Sequence, residues 1–423
     1  MKKQIFESPF GAEYVKATLN NGLNIYVMEK PQFSSSYALF GTKYGSVDMN
    51  FLSPEGERVD IPAGTAHFLE HKLFESEDGD AFSKFAETGA SANAFTSFDR
   101  TCYLFSCGDK FYENFEILLN FVQSPYFTAE TIKKEQGIIG QEIRMYDDSP
   151  GWRVLFNMLR SMYHNHPIKN DIAGTVESIA EITDKTLYDC YNTFYNPSNM
   201  FIAVCGNVDA NAVLDMAEKL IKPTAEREVT RFFDSERESI IKPYIEEEMA
   251  VMLPMFAFGF KQNLPEKMSL KTYIGLNLLL ETIAGDSSPL YARLTNDGLI
   301  GDSFGFEIMS GENYSAVIFE GESENPEKVR EEIIKEIENI RENGVDKRLF
   351  SAAKFRYYGD EIRRLDSVEE ICMQFADGDI NGYELFEKIA CIKAISADEV
   401  YKYINLLNED YSVLSVVKPP EGK

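Results

Sequence analysis

The chain has 423 residues, 44% of them hydrophobic, which is enough to bury one large core or two ordinary ones. Its 42 basic and 69 acidic residues leave a formal charge of −27, which excludes nucleic acid and anionic membranes as partners, since both need a basic surface. A cationic peptide is compatible with that charge, although a merely soluble acidic protein carries it too.

Met1-Lys2-Lys3 leads through Gln4-Ile5-Phe6 into Glu7-Ser8-Pro9 without an apolar stretch, so no signal peptide is expected. No run of about 18 apolar residues occurs, so no membrane span is expected either. The six cysteines form no CxxC pair and read as reduced thiols of a cytoplasmic protein.

Residues 15–19 and 23–28 flank Asn20-Asn21-Gly22, a hairpin signal in which Asn-Gly supplies positive φ. A further strand is predicted from Tyr37 to Tyr44, ending at Gly45-Ser46. Next comes His67-Phe68-Leu69-Glu70-His71, preceded by Gly64-Thr65, where a helix can begin. This HxxEH pattern inverts the order of the zinc-protease motif HExxH. Two histidines four apart lie on one helical face, so both rings reach one metal ion. Zinc favours imidazole and carboxylate, and a catalytic site keeps one position open for water. Glu70, beside the second histidine, is placed to act on that water as general base. Two histidines at helical spacing are also found as plain core residues, and short patterns arise by chance. Here, however, the motif takes two of the chain's four histidines.

Strands are predicted at Ser91–Thr96 and Thr101–Ser106, then a helix from about Asp109 to Val122. Thr128 caps the next helix, Ala129 to about Tyr146. Ile132, Glu135, Ile138, Ile139 and Glu142 share one of its faces, with the two glutamates two turns apart. Carboxylates on a mostly apolar face are costly unless paired or bound to metal. Beside the upstream motif, Glu142 becomes the natural third zinc ligand. Glu135 becomes a carboxylate that orients a ligand or the water. Solvated glutamates at a helix edge are the plainer alternative. His164 and His166, two apart before Pro167, read as structural rather than metal-binding.

Residues 199–206 close the first half as a strand, followed by a short helix to Ile221. Residues 222–243 turn charged, bounded by Pro223 and Pro243, and read as a linker. The second half echoes the first. Ile138 to Arg144 is matched by Tyr357 to Arg363, and Asn325-Pro326 begins a helix to about Asn343. The segment from Ile182 through Tyr191 to Cys205 is matched from Ile395 through Tyr401 to Val417. The chain therefore reads as two copies of one unit, 1–221 and 244–423. The second copy has no histidine, so it cannot repeat the metal site.

Residues 64–71, the stretch Ser91-Ala92-Asn93-Ala94-Phe95-Thr96-Ser97, Glu135 with Glu142, His166-Pro167 and Gly174 together resemble the pitrilysin/insulinase family of inverzincin metallopeptidases. The resemblance is greatest to its processing-peptidase-like members. It spans the organisation of the whole chain, while the specific motifs fall in the first half. It implies an α+β fold of two homologous units, each a mostly antiparallel sheet with helices packed mainly on one side. It implies one Zn2+ held by His67, His71 and Glu142, with Glu70 as base and Glu135 in support. It implies a homodimer, or a heterodimer with a paralogous chain lacking HxxEH, closed around an unfolded peptide. That peptide pairs as an added strand on Asn93, Ala94, Phe95 and Thr96. Members of the family carry an arginine and a tyrosine seven residues apart that bind the substrate backbone; Arg293 is present here, but Ile300 stands where the tyrosine is expected.

The resulting expectation is a zinc-dependent endopeptidase acting in an enclosed chamber, as the catalytic subunit of a dimer. The alternative is a non-catalytic assembly subunit, but such members lose the HxxEH that this chain keeps. A small-molecule lyase with the same motif would be far shorter and unduplicated.

Overall fold

A computed structural model describes residues 1–420 apart from Asp78 and Pro265. Local chemistry sets the early turns. Gly22 sits at φ +85°, a conformation glycine adopts without strain. It joins strands Glu13–Thr18 and Asn24–Glu29, which pair antiparallel with Thr18 opposite Asn24.

The first sheet has seven strands. From one edge to the other they are Lys2–Glu7, Glu13–Thr18, Asn24–Glu29, Met200–Gly206, Ser36–Thr42, Thr101–Cys107 and Ser91–Thr96. Only Asn24–Glu29 and Met200–Gly206 pair in parallel. The second sheet has five strands, in the order Tyr244–Glu248, Ser412–Lys418, Met255–Lys261, Tyr314–Glu322 and Gly305–Gly311. Its first pair is parallel and the others are antiparallel. Read from the parallel pair to the far edge, the two sheets have the same strand order and the same directions. The fold is α+β, built of two homologous units.

The central strands Ser36–Thr42 and Met200–Gly206 are buried at every residue, so both faces of the first sheet are covered. Side chains alternate between faces. Tyr26, Ala203 and Leu39 are cross-strand neighbours on one face, and Tyr26 stacks on Phe375 of the helix Val368–Asn381. Phe40 and Tyr103 lie on the other face, where Tyr103 meets Phe121 of the helix Phe111–Val122.

The chain forms two compact units that are not its two halves. Unit one comprises Met1–Ile143, Asp171–Phe232 and Ile362–Glu387; unit two comprises Arg144–Asn170, Phe233–Glu361 and Lys388–Lys423. Each unit therefore takes one helix from the other half of the chain. Within unit two, the helix Pro150–Met162 packs on Ser412–Lys418 and Met255–Lys261. Gly259 lies under it, and a Cβ there would meet Met158 Sδ at 2.5 Å.

Within unit one, carboxylates tie the late segment to the sheet. Asp379 accepts hydrogen bonds from Asn24 Nδ2 at 2.7 Å and Tyr26 OH at 2.8 Å, with Lys43 Nζ 2.9 Å from its other oxygen. Glu384 accepts from Tyr14 OH at 2.7 Å and pairs with Lys16 at 2.6 Å. Asp377 pairs with Arg100.

The predicted helices 109–122 and 129–146 are found at Phe111–Val122 and Ala129–Asp147. The helix begun by Asn325-Pro326 is Pro326–Asn343. On Ala129–Asp147 the buried face holds Ile132, Glu135, Ile139 and Ile143. Ile138 does not belong to that face as expected: it is 47% exposed. The helix Pro150–Met162 has a turn-like start in Ser149-Pro150-Gly151. Proline nevertheless fits the first helical position, where its missing N–H would be unpaired in any residue.

Candidate metal centre

The motif helix runs from Thr65 to Leu73. It starts from Gly64 at φ +90°, and a Cβ there would lie 2.4 Å from the Ala173 carbonyl oxygen. Gly174, at φ +74°, has the same relation to the Ala63 carbonyl. The two backbones cross so closely that only glycine fits at either point. The Thr65 hydroxyl donates to the Pro62 carbonyl at 2.7 Å instead of capping the helix. Eight of the nine helix residues are buried, including His67 and Glu70. A helix buried on almost every side is held by packing more than by propensity.

One helical turn brings the His67 and His71 rings to a centroid separation of 4.6 Å, tilted by 60°. The helix Ala129–Asp147 supplies the carboxylates. Glu142 Oε1 lies 3.6 Å from His67 Nε2, and Glu142 Oε2 lies 3.5 Å from His71 Nε2. One donor atom from each of His67, His71 and Glu142 falls within 4.8 Å of the others. Tetrahedral bonds of about 2.0–2.1 Å place donor atoms about 3.4 Å apart, so the spacing and the two-imidazole, one-carboxylate chemistry both fit Zn2+. Among the described residues no other histidine, cysteine, aspartate or glutamate group does so. All three residues belong to unit one.

Glu135 stands one step further out. Its Oε1 is 3.0 Å from His71 Nδ1. A carboxylate on Nδ1–H fixes the tautomer that presents Nε2 as a lone pair, on the side where Glu142 lies. Glu135 is therefore placed behind His71 and outside the candidate ligand group. Among the described residues His67 has no matching partner: its Nδ1 is buried without a hydrogen bond.

Glu70 is buried, and its Oε2 accepts from Thr96 Oγ1 at 2.7 Å. Burial raises the Glu70 pKa; His67 and the Thr96 hydroxyl pull it back, and the net shift is upward. For His71 burial lowers the pKa, but the Glu135 hydrogen bond and the charges of Glu70 and Glu142 outweigh it.

Asn93, Ala94, Phe95 and Thr96 lie on the outermost strand of the first sheet, which among the described residues pairs only with Thr101–Cys107. Arg293 belongs to unit two, where its guanidinium pairs with Glu336 at 2.7 Å. Ile300 is a core residue of that unit. His164 and His166 take no part in the metal group. His166 is fully buried; its Nδ1 accepts from Ile168 N–H at 3.1 Å and its Nε2 is 3.0 Å from the Glu312 carbonyl oxygen. What the motifs do not announce is the link between Thr96 and Glu70, made across 26 residues by two separate elements.

Comparison with known proteins gives the family. A family model described as insulinase (peptidase family M16) matches residues 55–176, and one described as the M16 inactive domain matches 181–357. A Bacillus subtilis protein described as the uncharacterized zinc protease YmfH is 41% identical over 393 residues, covering 91% of this chain and 92% of that one. A second from the same organism, YmxG, is 28% identical over 207 residues, 47% of this chain and 48% of that one. A solved putative M16-like peptidase from Alicyclobacillus acidocaldarius has a TM-score of 0.93 and 32% identity, covering 98% of this chain and all of that one. A Helicobacter pylori protease shares the fold, with a TM-score of 0.83 at 20% identity over 96% of this chain and all of that one.

Proposed function

The chain belongs to the insulinase family of peptidases, M16, and from that we propose that it is a zinc-dependent endopeptidase of unfolded peptides. The observation that carries the reading is the convergence of His67, His71 and Glu142, with Glu70 beside them and Glu135 behind His71. Bound there, zinc would supply Lewis acidity to the scissile carbonyl and lower the pKa of the attacking water.

The chain's own residues do the rest. Glu70 takes the proton from the attacking water and passes it to the leaving amine. Glu135 keeps His71 in the tautomer that presents Nε2. The outer edge of Ser91–Thr96 offers backbone groups to an extended peptide, which would pair as an added strand. Residues 1–221 act as the catalytic copy and 244–423 as its non-catalytic homologue. The six cysteines are all free, which suits a cytoplasmic site of action.

We further propose that the working form is a dimer enclosing the peptide, with a paralogous chain lacking HxxEH as partner. Ile300 supports this, because a buried aliphatic side chain cannot hydrogen-bond a substrate carbonyl.

The test is Glu70→Gln. The variant should keep about one zinc per chain while turnover falls by about 10²–10⁴-fold. Normal cleavage by this variant would remove Glu70 from the mechanism.

A further inference from the structure

We propose that Thr96 is a positioning residue: it holds the Glu70 carboxylate on the sheet and so keeps it from becoming a fourth metal ligand. The inference rests on the zinc-peptidase reading and deepens it.

Glu70 lies three residues after His67 and one before His71, so it shares the helical side of the ligands. A carboxylate is itself a good zinc ligand, and a catalytic site needs one position left open. A free glutamate next to three ligands tends to close that position. Thr96 is what holds it back. Its hydroxyl is 2.7 Å from Glu70 Oε2. An ionised carboxylate only accepts, so the Thr96 proton must point at Glu70. The neighbouring hydroxyl leaves that assignment undisturbed. Thr101 Oγ1 is 2.9 Å from the Tyr44 carbonyl and 3.3 Å from Thr96 Oγ1. The shorter contact takes the Thr101 proton, leaving the Thr96 proton for Glu70. Thr101 is completely buried and sits opposite Thr96 in the ladder.

The anchor therefore belongs to the sheet, while the tethered carboxylate belongs to the motif helix. Thr96 is also the last residue of the edge strand. A peptide added to that edge would stiffen the same residue that holds the base. Peptide binding and placement of the base would then be coupled through one hydroxyl.

The experiment compares full-length wild type, Thr96→Val and Thr96→Ser, each loaded with Co2+, whose visible bands report ligand number and type. Valine keeps the branch and the volume but lacks the hydroxyl; serine restores it. Thr96→Val should show altered Co2+ bands and slower loss of metal to a chelator, because Glu70 is free to bind the ion. Thr96→Ser should restore both. Neither readout needs turnover. With a cleavable peptide, kcat of Thr96→Val should fall about 10–100-fold. Wild-type bands in Thr96→Val, with metal lost at the wild-type rate or faster, would overturn the role of Thr96 alone. Absence of bound metal from the wild type as well would overturn the zinc reading itself.

Discussion

At the scale of single residues, the proposed division of tasks between the two carboxylates of one helix rests on the different nitrogens they face. Glu142 lies beside Nε2 of both histidines, while Glu135 lies beside Nδ1 of one. Glu142→Gln should abolish tight zinc binding. Glu135→Gln should weaken it about 10–100-fold, as loss of an orienting hydrogen bond does. Zinc content after mild chelation decides the ranking, and the reverse order would mean that the roles are exchanged. His166 makes a separate case. Burial pushes its pKa down to about 4, against the opposing pull of the Glu312 carbonyl and Glu236. In the unfolded chain histidine titrates near 6.5, roughly. The unfolded state thus binds the extra proton first as pH falls. The stability due to neutral His166 is fully present above about 6.5 and is lost progressively down to about 4, by about 3 kcal/mol. The difference in unfolding free energy between wild type and His166→Gln should shrink accordingly between pH 7.5 and pH 4.5. A difference constant across that range would show that the buried imidazole is not what titrates.

At the scale of elements, the crossing at Gly64 and Gly174 sets where the motif helix starts, and the helix in turn sets the histidine spacing. The covering of the first sheet depends on a helix from much later in the chain. Asp379 anchors it to Asn24, Tyr26 and Lys43 together. Asp379→Ala strips one buried donor, one half-buried donor and one cation of their acceptor. It should cost about 2–4 kcal/mol, read as a lower denaturant midpoint. Zinc stoichiometry under native conditions should be unchanged, since the metal residues lie on other elements. Loss of zinc without loss of stability would contradict that division.

At the scale of the whole molecule, one copy carries the metal residues and the other carries none. From the parallel pair to the far edge the strand order of the two sheets is the same, yet the second copy has no histidine. Arg293 is engaged by Glu336, and Ile300 packs into its own core. The isolated chain should therefore bind zinc but cleave peptides slowly. A paralogous partner that carries the arginine-tyrosine pair should raise turnover sharply, and a tyrosine-to-phenylalanine change in that partner should remove the gain. Full turnover by the isolated chain, unaffected by any partner, would leave a self-sufficient homodimer instead.

The sequence by itself determined whatever depends on short-range periodicity. His67, Glu70 and His71 share a helical side because 3.6 residues make a turn, and Glu135 and Glu142 share theirs for the same reason. The hairpin at Gly22 and the helix after Asn325 follow from local turn and capping chemistry. Tertiary structure decided what each face meets. Ile138 fits the apolar period yet ends in solvent, because periodicity fixes an angle about the helix and not what lies beside it. The helices Pro150–Met162 and Val368–Asn381 each serve the other half's sheet, and an amphipathic pattern does not name its partner. The Thr96 hydroxyl reaches Glu70 only once sheet and helix are packed, since nothing local relates residues 26 apart.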